Sequence, residues 1–180
     1  MIKESKLNKL NKDGKKCCDI EIYEEELEIV KKEYEKLSKR YDLPDFDKLN
    51  EEFDICRCDI NIKTLIRDIR KAMALKFSNL LAFVELLLNP SNGSMFYMFL
   101  VRGIDVKEKE VLEKLFSELG KMSIASFELD IDYSEQKEAH YIKENFKQWQ
   151  GLKKDSLFIA EALKQSWGKA IGKKEKSYFG

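Results

Sequence analysis

The chain has 180 residues, of which 43% are hydrophobic and 37% are charged. This length suits one domain with a single core, and the apolar content excludes an intrinsically disordered chain. The 33 basic residues balance 33 acidic ones. The net charge therefore gives no general attraction for nucleic acids, and a charged partner would have to meet a local patch.

The N-terminal segment is basic and poor in apolar residues. Its lysines outnumber the two acidic residues, Glu4 and Asp13. Residues 1–18 are therefore predicted to form a basic, flexible arm ahead of the folded domain. The segment lacks the apolar stretch of a secretory signal, so we expect a cytoplasmic protein whose cysteines are reduced.

A first long helix is predicted from about Ile20 to Tyr41. Its apolar side chains recur at steps of four and three, as in the seam of a coiled coil. These residues are Tyr23, Leu27, Val30, Tyr34, Leu37 and Tyr41. Leu43-Pro44 is expected to end this helix, and Asp45 to cap a short helix around Phe46 to Phe53.

The stretch from Asn61 to Ile104 concentrates the apolar residues, and it is predicted to form a central αα-hairpin. Its first helix is apolar on one face, at Ile62, Ile66, Ile69, Met73, Phe77, Leu80, Val84 and Leu87. Basic residues are placed on the opposite face, at Lys63, Arg67, Arg70 and Lys71. Turn-forming residues around Pro90 precede a shorter helix from Met95 to Arg102. Glu85 and this turn interrupt the apolar run, which disfavours a membrane span.

The segment after the hairpin is ambiguous. Asp105 and Glu108 are typical of a capping box, and Gly120 is expected to end the helix that they begin. From Phe127 to Tyr133 apolar and acidic residues alternate, which favours a half-buried strand. Because no convincing second strand is found, residues 121–133 are predicted to be an extended crossover. A short pairing with residues 55–60 is the alternative.

A last helical region keeps helical spacing from Ile142 to Trp167, and Gly151 is a potential kink within it. Residues 19–168 are thus predicted to form one all-α domain. Its expected architecture is a bundle of four to five major helices around the central hairpin. Residues 169–180 are predicted to be a basic C-terminal tail.

Candidate metal ligands are sparse. Cys17-Cys18 and Cys56-x-Cys58 lack the usual spacing of zinc ligands, so half-buried thiols are the simpler interpretation. The only histidine, His140, is interpreted as a surface or boundary residue. Glu128, Asp130 and Asp132 would share one face of an extended segment, where they could bind Mg²⁺ or Ca²⁺. A solvated acidic face is the favoured interpretation of these three residues.

Glu85 stands alone in an apolar helix. Burial would raise its pKa and make it a candidate functional group, whereas pairing or exposure would not. No phosphate-binding glycine loop and no hydrolase motif is found in the sequence. No catalytic residue, metal ligand or cofactor is therefore predicted. An enzyme or metal protein centred on Glu85 or on the carboxylates around Asp130 is the least favoured hypothesis.

The favoured hypothesis is a non-enzymatic module for protein–protein interaction or structure, with homodimerisation left open. Its predicted contact residues are Phe96, Phe99 and Leu100. The alternative is an RNA- or ribosome-associated protein that uses its lysine-rich ends. The predicted phosphate contacts are Lys169, Lys173, Lys174 and Lys176.

Overall fold

The computed structural model describes residues 18–57 and 61–175, with side chains described for residues 27–56 and 61–168. Most of these residues lie in α-helices, and none lies in a β-strand. The helices are α1 (Cys18–Tyr41), α2 (Phe46–Phe53), α3 (Leu65–Leu88), α4 (Met95–Leu100), α5 (Val106–Ile131) and α6 (Glu135–Glu175). Short 3₁₀ turns lie at Ile55–Arg57, Ile62–Thr64, Pro90–Asn92 and Val101–Gly103. The predicted all-α bundle is confirmed.

The helix starts follow local chemistry that was visible in the sequence. The Asp45 carboxylate accepts a hydrogen bond from the Lys48 amide at 3.1 Å and caps α2. At the start of α5, Asp105 and Glu108 form the predicted capping box, with both hydrogen bonds 2.8 Å long. These side chains satisfy amide groups that have no partner within the first helical turn.

The core is centred on α3. This helix packs against α5 and α6 and also contacts α1, α2 and α4. Its residues Ile69, Met73 and Phe77 are completely buried. The rings of Phe53, Phe77 and Trp149 lie 5.6–5.8 Å apart and join α2, α3 and α6. The predicted central hairpin is thus present, with α3 as its buried arm.

The predicted extended crossover at residues 121–133 is wrong. α5 continues through Gly120 and ends at Ile131. Met122 and Leu129 are buried and keep the helical register of the core-facing residues before Gly120. A helix keeps such residues on one face, whereas an extended segment would turn part of them to solvent. The alternative, a short pairing with residues 55–60, is wrong as well, because residues 121–131 are helical. Ile55–Arg57 is a 3₁₀ turn, and residues 58–60 lie outside the described residues.

α6 is one uninterrupted helix of 41 residues, and Gly151 does not divide it. At 1.5 Å per residue it is about 60 Å long. It continues past residue 168, where the basic tail was predicted to begin, and residues 176–180 lie outside the described residues. Residues 1–17 of the predicted arm also lie outside them.

α6 also holds the N-terminal helices in place. Lys143 pairs with Asp42 at 2.6 Å, and Lys153 pairs with Glu52 at 2.7 Å. The Tyr41 hydroxyl donates a hydrogen bond of 2.7 Å to Glu135. Within the described part of the chain, no helix has the length and apolarity needed to cross a bilayer.

Candidate protein-interaction surface

The second half of α5 carries a row of large apolar side chains that face solvent. Phe116 is 42% exposed, Ile124 63%, Phe127 65% and Ile131 73%. Together with Gly120 these positions recur at steps of three or four, so all five lie on one face of the helix. The adjacent side of the helix supplies core residues such as Leu115 and Leu119. We call the five residues the α5 stripe.

Gly120 is a notch in the α5 stripe. A Cβ atom placed on it would meet no other atom within 4 Å, and its φ angle is not positive. Neither packing nor backbone conformation within the described structure therefore requires glycine here. Glycine inside a helix costs about 0.5–1 kcal/mol relative to alanine. The notch between Phe116 and Ile124 leaves room for a side chain from another molecule.

Charges of both signs border the α5 stripe. Lys121 and Glu128 are seven residues apart, so they lie on the same edge of the helix, two turns from each other. Lys121 forms an exposed ion pair with Glu118 at 2.7 Å. Among the described side chains, Glu128 has no ion-pair partner within 4 Å. Helices that bind membrane surfaces are instead bordered mainly by lysine and arginine.

A buried polar network fixes the same half of α5 to its neighbours. The Arg70 guanidinium, 1% exposed, donates hydrogen bonds of 2.8 Å to Glu138 and 2.8 Å to Ser126. It also bonds Asp130 at 2.5 Å. These residues join α3, α5 and α6. The prediction that Arg70 lies on the basic face of α3, opposite the apolar face, is therefore wrong.

The network has an electrostatic consequence for Asp130. The hydrogen bond from Arg70 lowers the pKa of the Asp130 carboxyl below its ordinary value, although burial partly opposes this effect. Asp130 therefore stays ionised and keeps bridging α5 to α3 in moderately acidic solution. Arg67 supports the arrangement, since its guanidinium stacks on the Tyr133 ring at 3.9 Å.

A groove of about 740 Å³ lies between α5 and α6. Its lining residues are Ala125, Glu128, Leu129, Asp132, Gln136, Lys137, His140, Tyr141, Glu144 and Asn145. The buried polar groups are bonded within the chain, because the Tyr141 hydroxyl donates to the Met122 carbonyl and the Asn145 amide to the Tyr141 carbonyl. Burial raises the pKa of Tyr141, so its phenol stays protonated and does not act as a base. Nothing in this lining aims an unpaired buried group at a ligand.

The helical structure separates Asp130 from the other two carboxylates predicted on one face, whereas Glu128 and Asp132 both line the groove. Asp130 bonds Arg70, Asp132 pairs with Lys137 at 2.5 Å, and Glu128 lies at the groove. Among the described residues, no group of three or more side chains is arranged to hold a metal ion. Glu85 is exposed, so it is not the buried carboxylate that would make a candidate functional group. His140 is exposed, as predicted.

Of the three residues predicted for protein contact, Phe96 and Phe99 reach the surface and Leu100 does not. Phe96 is 45% exposed and packs its ring 5.2 Å from that of Trp167. Phe99 is half-buried beside Arg102, and Leu100 belongs to the core. Their role in binding stays a prediction.

Other predicted residues lie at the limits of the described structure. Lys169, Lys173 and Lys174 fall on the last turns of α6, and Lys176 lies outside the described residues. The predicted nucleic-acid contact stays a prediction. Cys17 and Cys58 also lie outside, and Cys56 is half-buried.

The α5 stripe is the feature that the sequence-based prediction missed. The sequence does contain a signal for the α5 stripe, because this segment has more large apolar residues than one core-facing row can use. The assumed helix end at Gly120 concealed the register that Phe116 shares with Phe127 and Ile131. Comparisons of this chain with protein families, curated proteins and solved structures find no match.

Proposed function

We propose that this chain is a non-enzymatic helical module that acts by binding another protein through the α5 stripe. The observation that supports the proposal is the exposure of four large apolar side chains on one face of a well-packed helix. Contiguous apolar patches of this kind mark interaction sites on soluble proteins. Phenylalanine and other aromatic residues are enriched in the centres of such sites.

The support beneath the α5 stripe suits a binding role. Arg70 holds α5 to α3 and α6 through hydrogen bonds to Ser126, Asp130 and Glu138. A surface that is already rigid loses little conformational freedom when a partner docks, so more of the contact energy becomes affinity. None of the five stripe residues carries a catalytic group, which favours binding over chemistry at this surface.

Site-specific photocrosslinking in the producing cells tests the proposal. A photoreactive phenylalanine analogue replaces Ile124 in the full chain, and the matched control carries it at Leu157, an exposed apolar position on α6. We expect a discrete crosslinked product from position 124 and a much weaker one from position 157. Adding Phe127→Asp is expected to remove the product. Equal yields at both positions, or none at either, would refute the proposal.

A further inference from the structure

We infer that the partner is a second copy of this chain, bound by antiparallel packing of one α5 stripe on the other about a twofold axis. The inference rests on the proposed function and adds the identity of the partner and the register of the contact. Three features of the α5 stripe support it: the spacing of its residues, the notch at Gly120, and the charges along its edge.

The spacing is self-complementary. In a twofold symmetric contact the same patch on each copy must fit itself. If the axis passes between Ser123 and Ile124, Phe116 and Ile131 are equally far from it, and so are Gly120 and Phe127. Each Phe116 then meets Ile131 of the other copy, and each Gly120 meets Phe127 of the other copy. The paired segments of 16 residues extend over about 24 Å.

The shapes also match in this register. The Phe127 ring, which is exposed in the single chain, enters the notch at Gly120, where no atom lies within 4 Å of a Cβ position. Symmetry repeats this contact, so both notches are filled. A parallel pair would place Phe127 against Phe127 and leave both notches empty, which forfeits dispersion contacts.

The charges favour the same orientation. Lys121 and Glu128 lie on one edge of the α5 stripe, and equal edges meet when two helices pack antiparallel about a twofold axis. In this register Lys121 of each copy lies about 3 Å along the helix axis from Glu128 of the other, a distance that the two side chains can span to form two ion pairs. Exposed pairs add little affinity, but they select orientation and partner because like charges in the same places repel.

Charge exchange tests this register in the full chain. Lys121→Glu and Glu128→Lys each create two like-charge contacts, so we expect about tenfold weaker self-association by sedimentation equilibrium. Mixing the two variants restores association, because each copy then supplies the charge that the other needs. The double variant Lys121→Glu/Glu128→Lys is expected to associate like the native chain. Lys154→Glu, at an exposed position on α6, is the control and is expected to have no effect.

The outcomes separate the inference from the proposed function. A full chain that stays monomeric while position 124 crosslinks to a different protein would overturn the inference alone. Self-association that Phe127→Asp abolishes but the charge variants leave unchanged would also overturn it, since the α5 stripe would then pair in another register. Absence of any crosslink from position 124 would overturn both.

Discussion

Arg70 and Glu138 form an ion pair that is closed to solvent where α3, α5 and α6 meet. The Nε atom of Arg70 lies 2.8 Å from Oε2 of Glu138, and the side chains are 1% and 0% exposed. Removing two charges from water is costly, so such a pair adds little net stability. We interpret it as a device that sets the helix register, because the guanidinium finds Ser126 and Asp130 only when α3 and α5 are aligned as observed.

Removing one partner of this pair is expected to destabilise the fold strongly. Glu138→Gln leaves the buried Arg70 guanidinium with only the half-exposed Asp130 as its counter-charge, and we expect the free energy of unfolding to fall by about 3 kcal/mol. Urea titration measures this change. The apolar double variant Arg70→Met/Glu138→Leu is expected to stay within about 1 kcal/mol of the native chain, since no unpaired charge remains buried.

The exposed pair between Lys114 and Asp155 is the control for that measurement. It also joins α5 to α6, at 2.8 Å, but its side chains are 62% and 25% exposed, so water reaches the pair. Lys114→Ala is expected to cost less than about 1 kcal/mol. A Glu138→Gln variant no less stable than Lys114→Ala would contradict the assigned role of the buried pair.

Glu52 is expected to contribute to acid unfolding. Burial raises the pKa of this carboxyl, but hydrogen bonds from Lys153 and Trp149 outweigh burial and hold it below the ordinary 4.5. The pKa of Glu52 is lower in the folded chain than in the unfolded chain. The stabilisation that Glu52 contributes is therefore present above pH 4.5 and disappears as the pH falls through the folded pKa. Glu52→Gln should therefore lose less stability than the native chain between neutral and acidic solution.

Urea titrations followed by tryptophan fluorescence measure this pH effect. The Trp149 indole donates a hydrogen bond of 2.8 Å to Glu52, so its emission reports directly on the contact. Glu161→Gln, an exposed change on α6, serves as the control and should leave the acid sensitivity unchanged. An equal loss of stability in the Glu52→Gln and native chains would contradict the prediction.

Gly120 and Gly151 form a matched pair for testing the notch. Both lie inside helices, and a Cβ atom at either would meet nothing within 4 Å. Alanine at either position is expected to raise the stability of the single chain by about 0.5–1 kcal/mol, because it restricts the unfolded backbone. Only Gly120→Ala should weaken self-association, since its methyl group occupies the space assigned to Phe127. Equal association of the two variants would contradict the proposed contact.

On α4, Leu100 belongs to the core and Met98 lies on the surface. Leu100 is 5% exposed, whereas Met98 is 48% exposed. Leu100→Ala is expected to reduce the free energy of unfolding by about 2–5 kcal/mol because it leaves a cavity. Met98→Ala should change it by no more than about 0.5 kcal/mol. Thermal and urea unfolding of both variants measure this difference. Similar losses of unfolding free energy in the two variants would contradict the position of Leu100 in the core.

Local signals were enough to predict the elements that begin and end by local chemistry. Three of these elements depend on residues within a few positions of one another. They are the seam that ends at Tyr41, the cap at Asp45 and the capping box at Asp105. The apolar row through Ile69 and Phe77 likewise specified the buried face of α3. Each of these signals is contained in a short stretch of sequence, so it can be recognised without knowledge of the tertiary contacts.

The features that were predicted wrongly depend on contacts between residues distant in the sequence. Arg70 resembles its neighbours Arg67 and Lys71 in the sequence, and only α5 and α6 make it a buried residue. The alternation around Phe127 satisfies a strand pattern and a helix pattern at once. Burial of Leu129 against the bundle decides between them.

The position of α6 at the end of the described chain bears on synthesis at the ribosome. α1 and α2 are made before α6, yet Asp42 and Glu52 pair with Lys143 and Lys153, which lie about 100 positions later in the chain. The aromatic face that Trp149 covers therefore stays open until α6 has been synthesised. Nascent chains with exposed apolar surface aggregate readily, so the segment from α1 to α5 is vulnerable to aggregation until α6 has been made and has docked.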